Sequence, residues 1–292
     1  MSTEVMGATL RPPARRRPSR RLRLEHVVMG GAIVSLIVLV VLPLLFLLGG
    51  SLRGEQGMSL DHFREVLSGR LYVNALVNSL ILGAWTGLFS LIIGLILAWA
   101  VSRTDVPFKP FIQATATFAY LLPPFLTAIA FTYLFSPNAG LVNVLMRDVL
   151  GLPWLTFNIF SMTGLVVVTV MHTFPFVYLL ASSALQSVDA SYEEAAQILG
   201  ASKLRTAFTI TMPLVAPAIL SGTLLAFVNA IALFGSQAII GLPGRIVTLP
   251  TRIYALFDYP PEYGLASALS LVFVILTVTA LYLQRAFLAR RS

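Results

Sequence analysis

Residues 191–217 have the sequence S-Y-E-E-A-A-Q-I-L-G-A-S-K-L-R-T-A-F-T-I-T-M-P-L-V-A-P and form a polar island between two long apolar segments. Ser191 and Glu194 fit a capping box, in which each side chain bonds the backbone N–H of the other residue. Gly200 stands where the end of a helix needs a residue that tolerates positive φ. Ser202 can cap a second short helix. The island is therefore predicted to be a helix, a glycine turn and a helix, close to a membrane face.

The composition indicates that most of this chain is in lipid. Of its 292 residues, 57% are hydrophobic and only 11% are charged, whereas a soluble domain has about 25% charged residues. The chain has no cysteine, which excludes disulfides and thiolate metal sites, and its three histidines lie far apart in sequence. Neither lysine, Lys109 or Lys203, follows a glycine, so the chain has no P-loop for ATP. We expect no metal, no cofactor and no catalytic residue in it.

Six apolar segments are long enough to span a bilayer, which takes roughly 20 residues. The sequence therefore predicts an all-α membrane protein with six transmembrane helices. The predicted spans are an anchor helix at residues 27–48 and five more near residues 75–101, 111–135, 163–185, 214–240 and 265–283.

The basic residues predict the orientation. Residues 1–26 form an arginine-rich tail that should be disordered in isolation, and residues 285–292 are also basic. With the N-terminus in the cytoplasm, fourteen lysines and arginines lie on the inner side and six on the outer side, as the positive-inside rule requires. Both termini and the island are thus expected in the cytoplasm. The positive charge is explained by attraction to anionic lipid, and nucleic acid is not expected as a partner.

The start of the chain permits a second interpretation. The fragment S-R-R-L-R-L at residues 19–24 loosely resembles a twin-arginine export signal. The apolar segment after it has 22 residues, too many for a usual signal core, and no A-x-A cleavage site follows. An anchor helix is the better prediction.

Ionisable groups inside the spans would mark a proton or ion relay, and the predicted spans contain no Asp, Glu, Lys or Arg. His172 is the single exception, and a hydrogen bond to a neighbouring helix is its simpler role. Interhelical hydrogen bonding is also the simpler role for the other polar residues. The candidates for a pore or gate are Asn78, Ser79, His172, Asn229, Ser236 and Gln237.

Glycine and proline predict how the helices pack and bend. Gly83 and Gly87 form a G-x-x-x-G pattern, with Gly94 seven residues further on. Such glycines let helices approach closely, within one subunit or between two. Kinks are expected at Pro123-Pro124 and at Pro175. Short interfacial helices are expected in the outer segments 60–71, 138–160 and 241–264, with aromatic residues at headgroup level.

The island closely resembles the cytoplasmic loop of permease subunits of binding-protein-dependent ABC importers. That family's pattern is E-A-A, three residues, G, nine residues, I, one residue and L-P. Every spacing matches, and the one departure is a methionine for leucine. The matching residues are Glu194, Ala195, Ala196, Gly200, Ile210, Met212 and Pro213.

The resemblance implies a type I ABC importer fold, with residues 71–284 as the permease domain and 186–213 as its coupling loop. The first short helix of this loop would dock on an ATPase subunit, which would hold the ATP and Mg that this chain lacks. A second permease subunit and an extracytoplasmic solute-binding protein are the other implied partners. The residues expected to couple to the ATPase are Glu193, Glu194, Ala195, Ala196, Gly200 and Ala201, supported by Ser191, Ile210, Met212 and Pro213.

A finer resemblance concerns the solute. Several segments, among them L-L-P-P-F at residues 121–125, are similar to the branch that imports ferric iron, polyamines, thiamine or aminoethylphosphonate. Ferric iron permeases are nearest. That branch usually has E-F-G-T-P where residues 233–237 are L-F-G-S-Q, which weakens the assignment of a solute.

Two other classes of function are weighed against the importer. An ATP-independent secondary carrier would depend on an ion gradient, and the lack of charges in the predicted spans does not favour it. A structural or signalling membrane protein would use the island to bind another cytoplasmic partner. Deleting such a protein would leave solute uptake unchanged.

Overall fold

The computed structural model describes residues 21–54 and 57–289. Most of the predicted basic tail and the last three residues lie outside this range. The chain divides into two compact units, the first ending at Phe46 and the second beginning at Leu47. The described part of the first unit is helical, with α1 at Arg21–Leu36, a π-helical turn at Ile37–Val41 and the start of α2 at Leu42–Ser51.

The second unit is also mainly helical. A small antiparallel hairpin pairs β1 at Arg53–Gly54 with β2 at Gly57–Met58. The helices that follow are α3 (Asp61–Ser68), α4 (Arg70–Arg103), α5 (Lys109–Leu121), α6 (Pro124–Phe135), α7 (Leu141–Val144), α8 (Met162–Ser187), α9 (Ala190–Ile198), α10 (Lys203–Thr206), α11 (Met212–Ala232), α12 (Leu249–Ala255) and α13 (Tyr263–Ala289). Further π-helical turns lie at Leu145–Val149, Ala207–Thr211 and Gln237–Gly241.

Among the described residues, five helices are long and apolar enough to cross a membrane. The pair α5 and α6 makes a sixth candidate span, but it is bent by 104°. The sequence predicted a kink at Pro123-Pro124 inside one continuous span, and the structure has a break there instead. The reason is that Pro123 excludes Leu122 from helical backbone angles, and Leu122 is extended at φ −69° and ψ 130°.

A second correction concerns the span predicted at residues 214–240. Helix α11 ends at Ala232 because Leu233 is extended at φ −65° and ψ 116°. The rest of the apolar segment forms a separate π-helical turn at Gln237–Gly241. At Pro175, by contrast, α8 remains helical on both sides of the proline.

The core of the second unit is formed by α4, α8 and α11, which pack on one another at glycines. A Cβ atom at Gly94 would lie 2.7 Å from Val177 Cβ on α8, and one at Gly222 would lie 2.7 Å from Val177 Cα. A Cβ at Gly83 would lie 2.6 Å from Ile231 on α11. All three helix pairs therefore depend on glycine for their close approach. The central helix is α8, in which 67% of the most apolar stretch of 18 residues is buried.

A smaller apolar cluster joins the short helices near the N-terminal end of α4. Val66 of α3, Tyr72 of α4, Leu249 of α12 and Leu269 of α13 are all buried in it. Short helices are present where the sequence predicted them in residues 60–71, 138–160 and 241–264, as α3, α7 and α12. Through Leu249, this cluster packs the chain that follows α11 against α4 and α13.

Candidate functional site

Helix α9 begins the island, and Asp189 caps it. The Asp189 carboxylate accepts a hydrogen bond of 2.9 Å from the backbone N–H of Ser191. That N–H and the Ser191 hydroxyl lower the pKa of Asp189 below its usual value. The predicted capping box at Ser191 and Glu194 is therefore wrong, since Ser191 already lies in the first helical turn. A carboxylate two residues upstream satisfies the same end of the helix and also suits its positive dipole.

The glycine turn is confirmed. Gly200 has φ +85°, and its N–H donates to the Gln197 carbonyl at 2.9 Å while the Ala201 N–H donates to the Ala196 carbonyl at 2.9 Å. These two bonds form a Schellman motif, which ends a helix with a left-handed residue. The Ser202 hydroxyl then accepts from the Arg205 N–H at 3.4 Å and caps α10, as predicted.

The tip of the island exposes large apolar side chains. Ile198 is 86% exposed, Leu199 is 88% exposed and Tyr192 is 59% exposed. Ala195 is exposed beside them, whereas Ala196 is buried. Tyr192, Ile198 and Leu199 are not among the residues predicted from the sequence, although large apolar residues beside a glycine turn in a polar island indicate a binding surface.

The predicted coupling residues occupy different environments. Glu194 and Pro213 are exposed, and Ala201, Ile210 and Met212 are half-buried. Met212 packs against the core of α4, α8 and α11. The island thus has an outward surface around α9 and an inward surface that joins it to the core helices.

Of the two adjacent acids predicted to couple to an ATPase, Glu194 is exposed and Glu193 belongs to the inward surface. Its carboxylate oxygen Oε1 lies 2.9 Å from Arg103 Nε and accepts a hydrogen bond of 2.8 Å from Thr211 Oγ1. Helical geometry explains the difference, because adjacent residues on a helix point in directions about 100° apart. Sequence reasoning missed Arg103, which lies 90 residues away along the chain.

At the other end of the core, four of the six pore candidates lie at the segment after α11. Asn78 Nδ2 donates to the Val247 carbonyl at 2.9 Å, and the Leu249 N–H donates to Ser79 Oγ at 2.8 Å. Gln237 is fully buried, donates to the Ala230 carbonyl at 2.8 Å and accepts from the Thr248 hydroxyl. Ser236 is buried next to Gln237. We call residues 233–251 the outer segment, after the side towards which the orientation predicted from the sequence places it, and three of these side chains hold it against α4 and α11.

The remaining two candidates lie elsewhere. His172 is half-buried in α8, and its Nδ1 has no hydrogen-bond partner among the residues that the structure describes. Asn229 donates to the Leu225 carbonyl of its own helix at 3.0 Å. The six candidates are therefore spread along the core and do not form one site. Within residues 21–54 and 57–289, no group of three His, Asp or Glu side chains is placed to hold a metal ion.

Comparison with known proteins gives consistent matches. The model of the family described as "Binding-protein-dependent transport system inner membrane component" matches residues 90–292. The molybdenum transport system permease protein ModB of Escherichia coli K12 is 32% identical over 221 residues, which cover 75% of this chain and 93% of ModB. The putative 2-aminoethylphosphonate transport system permease protein PhnU of Salmonella typhimurium is 29% identical over 259 residues, covering 87% of this chain and 90% of PhnU.

Among solved structures, a chain of a bacterial alginate ABC transporter, crystallised with an alginate-bound periplasmic protein, has the same fold. Its TM-score is 0.74 at 18% sequence identity, and the match covers 91% of this chain and 93% of that one. At this identity the likeness bears on the fold alone.

Proposed function

This chain belongs to the family of binding-protein-dependent transport system inner membrane components, and we propose that it carries a small oxyanion across the bacterial plasma membrane as the permease subunit of an ATP-driven importer. An ATPase subunit would bind ATP and Mg. A solute-binding protein would deliver the solute, and a second permease subunit, identical or a sibling, would complete the path. In this arrangement the island and both termini face the cytoplasm.

The observation that carries the proposal is the exposed apolar tip of the island. Ile198 and Leu199 are almost fully exposed although they lie in a polar segment with capped helices. Large apolar groups exposed together on a folded element favour a protein partner. The Schellman turn at Gly200 holds this tip in a defined shape, so that a partner can bind it without first ordering it.

The solute class rests on different support. ModB is named for molybdenum and PhnU for 2-aminoethylphosphonate, and molybdate and phosphonates are both tetrahedral oxyanions. Helices α4, α5, α6, α8, α11 and α13 contain no Asp or Glu. A path for ferric iron or a polyamine would gain from such carboxylates. We therefore rank molybdate and 2-aminoethylphosphonate ahead of ferric iron, which the resemblance of short segments to iron permeases favoured, and ahead of polyamines and thiamine.

The docking part of the proposal is tested by changing Leu199 to Asp. A buried leucine side chain contributes about 1.5–3 kcal/mol, so the ATPase should bind about 10- to 100-fold more weakly. The readout is the amount of ATPase that co-purifies with the tagged permease from membranes expressing the whole operon. Met58→Asp is the matched control, since Met58 is also strongly exposed at 85% but lies on the hairpin far along the chain from the island. Unchanged ATPase recovery with Leu199→Asp would contradict the proposed docking.

The solute is tested by uptake into cells that lack the chain and into the same cells complemented with it. Labelled molybdate, 2-aminoethylphosphonate and ferric citrate are compared before and after ATP depletion. ATP-dependent uptake of one of the two oxyanions is expected. Uptake that survives ATP depletion and collapses with the ion gradient would indicate a secondary carrier, and no uptake difference at all would indicate a structural or signalling role.

A further inference from the structure

Glu193 and Arg103 form a polar cluster at the base of the island. Their side chains are only 22% and 16% exposed, and Arg103 Nε lies 2.9 Å from Glu193 Oε1. The same carboxylate oxygen accepts a hydrogen bond from Thr211 at 2.8 Å, and Arg103 Nη2 donates to the Val188 carbonyl at 3.3 Å. The pair therefore has two further partners, one on each side.

These four residues belong to different elements. Arg103 is the last residue of α4, and Val188 is the C-cap of the central helix α8. Thr211 ends the π-helical turn that leads directly into α11. Glu193 is in α9, the helix that carries the exposed tip. One ion pair thus connects the island to all three core helices.

The physical character of the cluster suits the transfer of motion. Charges that are largely removed from water interact more strongly than exposed ones, and the planar guanidinium holds two acceptors in a fixed geometry. The turn at Ala207–Thr211 is π-helical, and such turns frequently occur at functional sites. A displacement of α9 would therefore reach α4 and α8 through Arg103 and α11 through Thr211.

We propose that Glu193 is a positioning residue that transmits displacement of α9 to α4, α8 and α11, and that it does so without contacting the ATPase. This inference rests on the proposed function, because it assumes that an ATPase docks on the exposed side of α9. It assigns docking and transmission to different faces of one short helix. Glu193 faces the core, and Leu199 lies at the exposed tip.

The test is the amount of solute transported per ATP hydrolysed, measured on the whole complex in proteoliposomes with the binding protein present. Glu193→Ala removes both bonds, and we expect transport per ATP to fall about tenfold, within the range of coupling between protein sites. The amount of ATPase subunit recovered and its rate of ATP hydrolysis should stay at the wild-type level. Glu193→Gln keeps an oxygen that can accept from Thr211 and Arg103, so it should restore part of the loss.

Two further variants keep the test decisive. Thr211→Val has nearly the same shape and cuts only the bond towards α11, so it should lower transport per ATP even if Glu193→Ala fails to accumulate in the membrane. Asp105→Asn is the control, since Asp105 is a fully exposed acid two residues after Arg103.

The possible results separate the two proposals. A wild-type chain that recovers no ATPase would overturn the proposed function itself. If ATPase is recovered, an unchanged ratio of transport to hydrolysis in both Glu193→Ala and Thr211→Val overturns the role of Glu193 alone. Loss of ATPase binding in Glu193→Ala would also overturn it, because docking is then not separate from transmission.

Discussion

The island leads into α11 and the outer segment follows it. The two regions differ in whether their side chains are buried or exposed. In the outer segment, Gln237 and Thr248 are fully buried and bonded to each other. In the island, by contrast, the apolar side chains of Ile198 and Leu199 are almost fully exposed. Gln237 and Thr248 of the outer segment find their partners within the chain, although the buried Ser236 hydroxyl has none among the described residues, whereas the island leaves apolar surface for another molecule.

This difference distinguishes the region whose side-chain contacts lie mainly within the chain from the region that leaves apolar surface exposed. Buried polar groups are costly unless each finds a partner, so the outer segment is specified by contacts already present. Exposed apolar groups remain costly until a partner covers them. The outer segment should therefore govern the stability of the isolated chain, and the island tip should govern its assembly.

The largest effect is expected from breaking the buried contacts of the outer segment with Gln237→Leu. This change removes the donor to the Ala230 carbonyl, near the end of α11, and the acceptor for the Thr248 hydroxyl. Each unsatisfied buried group costs about 1–3 kcal/mol. The measurement is the unfolding midpoint in detergent, which should fall clearly while ATPase recovery at low temperature stays normal. Gln113→Leu, at an exposed position of α5, is the control and should change little.

A smaller effect is expected from the core that both regions share. In Gly94→Ala the new methyl group would lie 2.7 Å from Val177 Cβ and 2.9 Å from the Phe174 carbonyl, and such overpacking costs about 1–3 kcal/mol. Gly87→Ala is the matched control, because its methyl would meet its nearest neighbour at 3.6 Å. Both changes gain the same helix propensity, so the difference between their unfolding midpoints measures packing. Equal midpoints would show that α4 and α8 do not need this contact.

The smallest effect is expected from Gly200→Ala, which alters only the backbone of the island. Among the described residues, no atom beyond the glycine and its chain neighbours lies within 4 Å of the added methyl, but a φ of +85° is unfavourable for alanine, by about 1–2 kcal/mol. ATPase recovery should fall by about 5- to 30-fold, with no change in the unfolding midpoint. Gly200→Asn should lose less, since asparagine tolerates this region better. A lowered midpoint in Gly200→Ala would mean that the island contributes to the stability of the isolated chain.

Local sequence signals predicted the parts of this molecule that depend on nearby residues. Gly200 and Ser202 have the turn and cap expected of them, and Gly83 and Gly94 lie at close helix contacts. The spacing of Glu194, Gly200 and Pro213 carried the resemblance to the family that the family model and ModB then showed. These features needed no knowledge of the fold.

The remaining errors came from contacts or backbone angles that hydropathy does not record. The apolar segment continues past Ala232, so its length hid the extended residue Leu233 that ends α11. Proline at 123 predicted a kink but not a break of 104°, which arises where Leu122 becomes extended. The pairing of Glu193 with Arg103 joins residues 90 positions apart, and nothing local distinguishes Glu193 from Glu194.

The length of α4 has a mechanical consequence. Its 34 residues make a rod of about 50 Å at 1.5 Å per residue, longer than the roughly 30 Å of hydrocarbon in a bilayer. Arg103 is at one end of this rod, and Asn78 and Ser79 hold the outer segment near the other. A rod that pivots about its middle moves its two ends in opposite directions, so a push on the island at the Arg103 end would move the end that holds the outer segment the opposite way.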